Sequence, residues 1–320
     1  MSELRRDHLH DTWVITAPER GARPHDVRMQ AVPTGESPCP FCPGNESQTP
    51  PEILAIGRGA GTPADGPDWR VRIVPNRYPA VTGGEGRHEV VVISPDHACE
   101  LADLTADEAG EVLAAVQQRY RDLEADPELA SVLFFLNSGA GAGASLSHPH
   151  GQVLATPVVP AVLCTELAAV ANWRRQHAGC LICDLADEAE RDGRLVHADQ
   201  HAIVIAPRAS RFSWEMILLP RRHAARFTDS TLVELKSLGA ALAVVCRALR
   251  AAAADPAYNL VLHSAPSGAQ DFHWHLELLP RLAPLAGFEM GTGFHINPIL
   301  PELAAQKLRR ALTDDQEGTA

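Results

Sequence analysis

Lysine is nearly missing from this chain, standing only at positions 236 and 307, so its positive charge rests almost entirely on arginine. The formal net charge is −12 at pH 7, and a chain without a basic excess lacks the footprint that general nucleic-acid binding needs. An anionic substrate must then be held by a few placed Arg, backbone amides or metal-associated groups, not by an overall positive field. Long apolar runs are absent too. The best candidate span, 238–254, is broken by Arg247 and Arg250, and the opening residues carry no apolar leader. These features predict a cytoplasmic protein without a membrane segment. Disorder as the main state is excluded by 45% apolar against 21% charged residues. The 320 residues allow one large domain or two of ordinary size.

What is present is organised by cysteine and histidine. Four of the seven Cys form two Cys-x-x-Cys pairs, Cys39/Cys42 and Cys180/Cys183. In a cytosolic chain such spacing points to metal binding or thiol redox work before disulfides. Cys99, Cys164 and Cys246 read as small buried apolar residues.

The landmarks repeat. The first half runs from Cys39/Cys42 through Ser94-Pro-Asp-His97 to His148-Pro-His150; the second runs from Cys180/Cys183 through His223 to His273-Trp-His275. From single His to His-x-His the intervals are 51 and 50 residues; from second Cys to single His they are 55 and 40. After each single His stands a capping-box pattern, Thr105-Ala-Asp-Glu108 and Thr231-Leu-Val-Glu234, which predicts helices to about 123 and 253. An apolar strand candidate follows each helix, 131–136 and 258–262. Four landmarks in the same order twice indicate duplication. The expected fold is α+β: two tandem units of antiparallel sheet with packed helices. The division is expected within 160–178, giving units 1–172 and 173–320. Residues 285–301, rich in Gly and Pro, have no counterpart and read as a functional loop or arm.

Two thiolates with two imidazoles make a tetrahedral zinc set, and Cys39, Cys42, His97 and His148 supply one. Alternate residues of a strand share a face, so a metal-fixed His148 would present His150 rigidly. Just upstream, Asn137-Ser-Gly-Ala-Gly-Ala-Gly-Ala-Ser145 is a small-residue loop, and its glycines, Gly143 among them, suit a close backbone approach to phosphate oxygens beside Ser145. A nucleophile beside an anion cradle fits attack at phosphorus.

The string Ser147-His-Pro-His-Gly-Gln152 resembles the active-site signature of the galactose-1-phosphate uridylyltransferases, a branch of the histidine-triad superfamily. The resemblance runs through most of the chain: the segment holding Arg20 and Arg23, Asn76-Arg-Tyr-Pro79, Ser94-Pro-Asp-His97, Asn137 thirteen residues before His150, and Gly287-Phe-Glu-Met290. It implies a homodimer and a ping-pong reaction. His150 attacks the α-phosphorus of a nucleotide sugar, expels the sugar 1-phosphate and becomes a covalent nucleotidyl-histidine; a second sugar phosphate then takes the nucleotide. Gln152 would donate a hydrogen bond to the phosphoryl oxygens and favour transfer over hydrolysis. Phe288 and Glu289 resemble the sugar-phosphate segment that the family lends across a dimer interface. Arg20, Arg23, Asn76 and Asn137 are nucleotide-contact candidates, with solvated charge and ordinary turn chemistry as the plainer readings.

A second Cys2His2 set, Cys180, Cys183, His223 and His273, resembles that of ADP-glucose phosphorylase-like relatives, giving two zinc ions per chain. A competing mapping places Glu166, His263, His273 and His275 on the separate metal site of the enterobacterial enzymes. The thiolate set is preferred because thiolates bind zinc tightly and the repeat calls for it. The second His-x-His lacks a Gly-rich cradle, so one active site per chain is expected. The leading activity is UMP transfer from UDP-glucose to a hexose 1-phosphate. The alternatives are an ADP-sugar or dinucleotide phosphorylase using phosphate as acceptor, and a zinc-stabilised nucleotide-binding protein without turnover.

Overall fold

A computed structural model describes residues 2–22, 38–59, 61–266 and 268–318. In chain order it contains β1 (Glu3–Asp7), β2 (Thr12–Thr16), β3 (Leu54–Ile56), β4 (Val71–Pro75) and β5 (Arg87–Val92). Helix α1 (Ala106–Glu124) leads to β6 (Ser131–Ser138) and β7 (His150–Thr156), then α2 (Ala161–His177) and α3 (Leu181–Arg191). The second half continues with β8 (Leu195–Ala198), β9 (Ala202–Ile205), β10 (Met216–Pro220), α4 (Leu232–Ala253), β11 (Tyr258–His263) and β12 (His275–Pro280). The chain closes with α5 (Gly287–Thr292), β13 (His295–Asn297) and α6 (Pro301–Gly318).

Ten strands form one antiparallel sheet in the order β3-β4-β5-β7-β6-β11-β12-β10-β9-β8. Adding five to each strand number of the first half gives its mirror in the second, so the duplication inferred from the landmarks is a duplication of topology. The halves meet at β6 and β11, where Leu136 faces Leu260. Both expected capping boxes are formed: Thr105 and Thr231 accept from the amides of Glu108 and Glu234, whose carboxylates accept in return from the Thr amides.

The sheet's faces are covered unequally. On one side α1, α4 and α6 pack on both halves, burying Ile73, Val91, Phe134 and Val153 together with Val204, Leu218, Leu262 and Leu276. On the other side α2 and α3 cover the second half alone, over Ile205, Ile217 and Leu219. In the first half that side carries a smaller cluster of Phe41, Trp69, Val74, Val90 and Val92. Residues 160–178, where a divide was expected, are largely helix α2.

The arm 285–301 is more regular than its Gly and Pro content suggested. β13 pairs in parallel with β2, completing a small sheet β1-β2-β13 that the sequence pattern did not reveal. It is anchored to the second half: the Asn297 amide donates to the carbonyls of Ser210 (3.0 Å) and Phe212 (3.3 Å), and Arg5 reaches the Arg208 carbonyl (3.0 Å) and Glu302 (2.8 Å).

Candidate functional site

Two groups of two Cys and two His each bring a loop against the ends of the sheet strands. Cys39 and Cys42 lie on a turn closed by the Cys42 amide donating to the Cys39 carbonyl (3.3 Å), which the Asn45 side-chain amide also reaches at 2.8 Å. Trp69 pins this loop through its indole N–H to Glu46 (2.9 Å). Around the turn, Cys42 Sγ stands 3.4 Å from His97 Nδ1, and His148 Nδ1 is 3.6 Å from both sulfurs. A tetrahedral ion about 2.3 Å from sulfur and about 2.05 Å from nitrogen has S···N edges of about 3.5 Å. The distances therefore fit zinc. The remaining ring nitrogens are turned outward, His148 Nε2 donating to the Ser94 carbonyl (2.9 Å) and His97 Nε2 meeting Ser147 Oγ (3.0 Å), so the Nδ1 lone pair of His148 faces the thiols.

The second half repeats this. Cys183 Sγ is 3.6 Å from His223 Nδ1 and 3.4 Å from His273 Nδ1, and His273 Nε2 donates to the Pro220 carbonyl (3.0 Å). Ser94 and Pro220 each stand three residues before the single His, so the outer hydrogen bond is duplicated with the ligands. The difference is local: Cys180 caps α3, accepting from the Cys183 amide, where Cys39 sits on an open turn. The hydrogen bond from Cys183 is the largest cause holding the Cys180 thiol far below its ordinary pKa.

Of the two mappings for His273, the structure supports the thiolate one: His273 joins Cys180, Cys183 and His223, while Glu166, His263 and His275 form a separate group of three. All three are buried. His263 presents Nδ1 to Glu166 (2.8 Å) and Nε2 to Glu277 (3.4 Å), and His10 Nε2 lies 3.0 Å from Glu277 and 3.3 Å from Glu166. Burial works against a charge on His263, but the two carboxylates outweigh it and push its pKa up to about 9. Arg211 adds a further ion pair with Glu277 (2.7 Å). Glu166, His263 and Glu277 are thus tied into an ion-pair network, beside which His275 Nε2 is buried without a hydrogen-bond partner; Glu166, His263 and His275 stand close enough together to share an ion.

His150 opens β7, opposite Val92 of β5. Its Nδ1 lies 2.8 Å from its neighbour's carbonyl, that of His148, and must carry the proton to donate there; Nε2 is left with its lone pair. Burial lowers the His150 pKa, which favours the neutral, nucleophilic ring. Phe41, between the two zinc-loop cysteines, packs on the His150 ring at 5.2 Å between centroids. Gly151 is dictated by packing, since a Cβ there would stand 2.5 Å from the Phe134 ring. In the second half His275 repeats the bond to the carbonyl two residues back (3.1 Å), but it lies under α2 against His263, its ring stacked at 5.0 Å. His150 instead faces the side of the sheet that α2 and α3 leave uncovered. Of the two His-x-His strings, the second lies beneath helices and the first does not.

Gln152 shares the face of His150, and its Oε1 lies 2.7 Å from His88 Nε2. His88, half-buried on β5, is marked by no local motif in the sequence. Asn76 adjoins the pair, its Nδ2 3.2 Å from His88 Nε2 while Oδ1 accepts from the Tyr78 amide (2.8 Å). Asn137 accepts from the side-chain amide of Asn259 (2.8 Å), which also donates to the Ala142 carbonyl (2.9 Å), so the small-residue loop is tied to β11. That loop is less free than expected: the amides of Ala142, Gly143 and Ala144 donate within its own turns. Ser145 is exposed at its end, and Gly143 takes a positive φ of 88°.

Arg20 is exposed after β2, and Phe288 and Glu289 lie on α5, beside the small sheet anchored to the second half. Glu289 accepts from the Ala286 amide (3.1 Å), a capping contact. Arg23 lies outside the described residues. No described helix is long and apolar enough to cross a membrane.

Fold and site together define a protein of two tandem α+β units, each with a Cys2His2 group and a His-x-His string. Residues 69–160 match the family model described as the N-terminal domain of galactose-1-phosphate uridyl transferase. The chain is 31% identical to ADP-glucose phosphorylase of Arabidopsis thaliana (96% of this chain, 92% of the relative) and 30% identical to galactose-1-phosphate uridylyltransferase of Thermotoga maritima (97% and 98%). The crystal structure of an ADP-glucose phosphorylase from Arabidopsis thaliana with bound ADP-glucose superposes with a TM-score of 0.86 over 97% of this chain and 98% of the other, at 31% identity. A uridylyltransferase structure gives 0.76 at 29% identity, over 98% and 99%. The chain belongs to the galactose-1-phosphate uridylyltransferase family of nucleotidyltransferases.

Proposed function

We propose that this protein transfers a nucleotidyl group through a covalent nucleotidyl-His150 intermediate, with UDP-glucose as donor and a hexose 1-phosphate such as galactose 1-phosphate as acceptor. The observation that carries the proposal is the 2.8 Å bond from His150 Nδ1 to the His148 carbonyl, which leaves Nε2 unprotonated on the uncovered face. In the first step Nε2 bonds to the α-phosphorus, the bond to the bridging oxygen breaks, and the sugar 1-phosphate departs with that electron pair. The acceptor's phosphate oxygen then reverses the exchange. Gln152 would donate to the phosphoryl oxygens as their charge grows, and such a donor is worth about 10²–10³ in rate.

Zinc fits both Cys2His2 sets, which would hold it as a closed structural ion. At the first set the chain's contribution is to lock His148, and with it the carbonyl that orients His150. Units 1–172 and 173–320 would then be a catalytic unit and a supporting one. Asn76, Asn137, Gly143, Ser145, Arg20 and Arg23 stand as substrate contacts. Phe288 and Glu289 would serve the partner's site in a cytoplasmic homodimer.

A second reading is favoured by a specific observation: the superposition at a TM-score of 0.86 on a structure holding ADP-glucose. Under it the donor is ADP-glucose and inorganic phosphate accepts the nucleotidyl group. Intact mass after brief incubation with either nucleotide sugar, under alkaline denaturation because phosphoramidates are acid-labile, separates the two. An added UMP that is absent in His150→Asn supports the first; an added AMP supports the second. No adduct from either donor overturns both.

A further inference from the structure

We infer that His88 is a positioning residue for the transfer, fixing which end of the Gln152 amide faces the substrate. This rests on the proposed nucleotidyl transfer, and it follows from hydrogen-bond bookkeeping along β5. The Ala80 backbone N–H, 2.9 Å from His88 Nδ1, can only donate. Nδ1 must therefore be the acceptor, and the neutral ring carries its proton on Nε2. That proton points at Gln152, 2.7 Å away. Gln152 must answer with its carbonyl oxygen, so its NH2 group is turned away from His88.

The assignment does not depend on how the amide was oriented, since the opposite flip would set two N–H groups against each other at 2.7 Å. Asn76, whose Oδ1 is held by the Tyr78 amide, brings only a donor, Nδ2, to 3.2 Å from the same Nε2; in this tautomer that approach is not a hydrogen bond, and it offers His88 no alternative acceptor. The sheet supplies the alignment. Val92 pairs with His150 and Val90 with Gln152, so His88, one pleat further along β5, is the diagonal neighbour of Gln152 on the same face. With the carbonyl engaged, the donor end is the one left for an anion beside His150. A freely rotating Gln would present its carbonyl to a phosphoryl oxygen part of the time, which repels it. The backbone amide of residue 80, in the turn after Asn76-Arg-Tyr-Pro79, thus sets a tautomer, the tautomer sets the amide, and the amide sets the polarity of the site.

Two near-isosteric substitutions separate this role from a merely structural one. Asn at 88 places an acceptor where Nδ1 stands and keeps the Ala80 contact, but has no donor at the Nε2 position. Gln places an N–H near Nε2 and restores donation to Gln152 while losing the Ala80 contact. The measurement is the single-turnover rate of nucleotidyl-enzyme formation, read by intact mass with UDP-glucose and with ADP-glucose. His88→Asn is expected to slow that rate about tenfold or more, as loss of a directed donor to a developing oxyanion does. His88→Gln is expected to recover most of it. In a Gln152→Ala background, His88→Asn should add little, because the group it aligns is gone.

If Asn is tolerated and Gln is the damaging change, His88 serves to hold the Ala80 turn and the inference fails. It fails equally if both variants react at the wild-type rate, or if the losses at 88 and 152 simply multiply. Absence of any adduct on the wild-type protein is a different result: it overturns covalent transfer itself, and the positioning role with it.

Discussion

Gly239 of α4 lies against Gly110 of α1 so closely that a Cβ on Gly239 would stand 2.5 Å from the Gly110 amide nitrogen and 2.6 Å from the Ala109 carbonyl carbon. These are backbone atoms, so they cannot rotate aside. The two helices are equivalent members of the repeat, and their contact is where the halves join above the sheet.

Gly239→Ala should therefore destabilise the protein even though Ala favours a helix by about 1 kcal/mol over Gly. Forcing the helices apart is expected to cost about 1–3 kcal/mol before that gain is subtracted. Thermal unfolding of the variant should show a lower midpoint; an unchanged or raised one would mean that α1 and α4 do not pack this tightly.

Elemental analysis should give about two zinc per chain, one for each Cys2His2 set. Cys39→Ser is expected to remove one and to slow nucleotidyl-enzyme formation, since it loosens the strand that carries His148. Cys180→Ser should remove the other with less effect on the chemistry. Equal damage to chemistry from both would argue that the second ion supports the whole sheet.

Glu166 sits at the centre of the buried charge network between α2, β11 and His10. Glu166→Gln is expected to leave the zinc content unchanged while destabilising the fold by about 3–5 kcal/mol, the scale for stranding a buried ionic partner. Loss of a metal ion in this variant would show that the group binds one.

Glu234 supplies the pH prediction. Its hydrogen bond from Arg222 (2.7 Å) is the first cause lowering its pKa from 4.5 to about 2, with burial opposing. A depressed carboxyl stabilises the fold fully above its unfolded pKa, and the benefit fades as pH falls from about 4.5 toward about 2. Glu234→Gln should lower the unfolding midpoint near neutral pH, and the gap to wild type should narrow as pH falls through this window. A gap that stays constant would place the Glu234 effect in its capping geometry rather than its charge.

Local signals made much of this protein legible. The Thr-x-x-Glu boxes are written in adjacent residues and fix where α1 and α4 begin. The Cys-x-x-Cys and His-x-His strings, repeated at near-constant intervals, identified both thiolate sets, because duplication carries ligand spacing with it. The arm's strand β13 was hidden: its three residues gain a partner only when β2, almost three hundred positions earlier, comes beside them. Nor could the sequence weigh His88, whose importance lies in an amide from residue 80 and a carbonyl from residue 152 reaching the two nitrogens of one ring.

Composition and motif by themselves determined a duplicated α+β chain with two Cys2His2 sets and a candidate nucleophile at position 150. Tertiary structure alone decided which His-x-His lies beneath helices. Both carry the same carbonyl-directed tautomer, but α2 and α3 close over His275 and leave the first half's face uncovered. It also decided that His273 joins Cys180, Cys183 and His223 and not Glu166 and His263. Long-range burial governs both outcomes, and burial depends on which helix falls on which face, a relation that no local pattern of residues encodes.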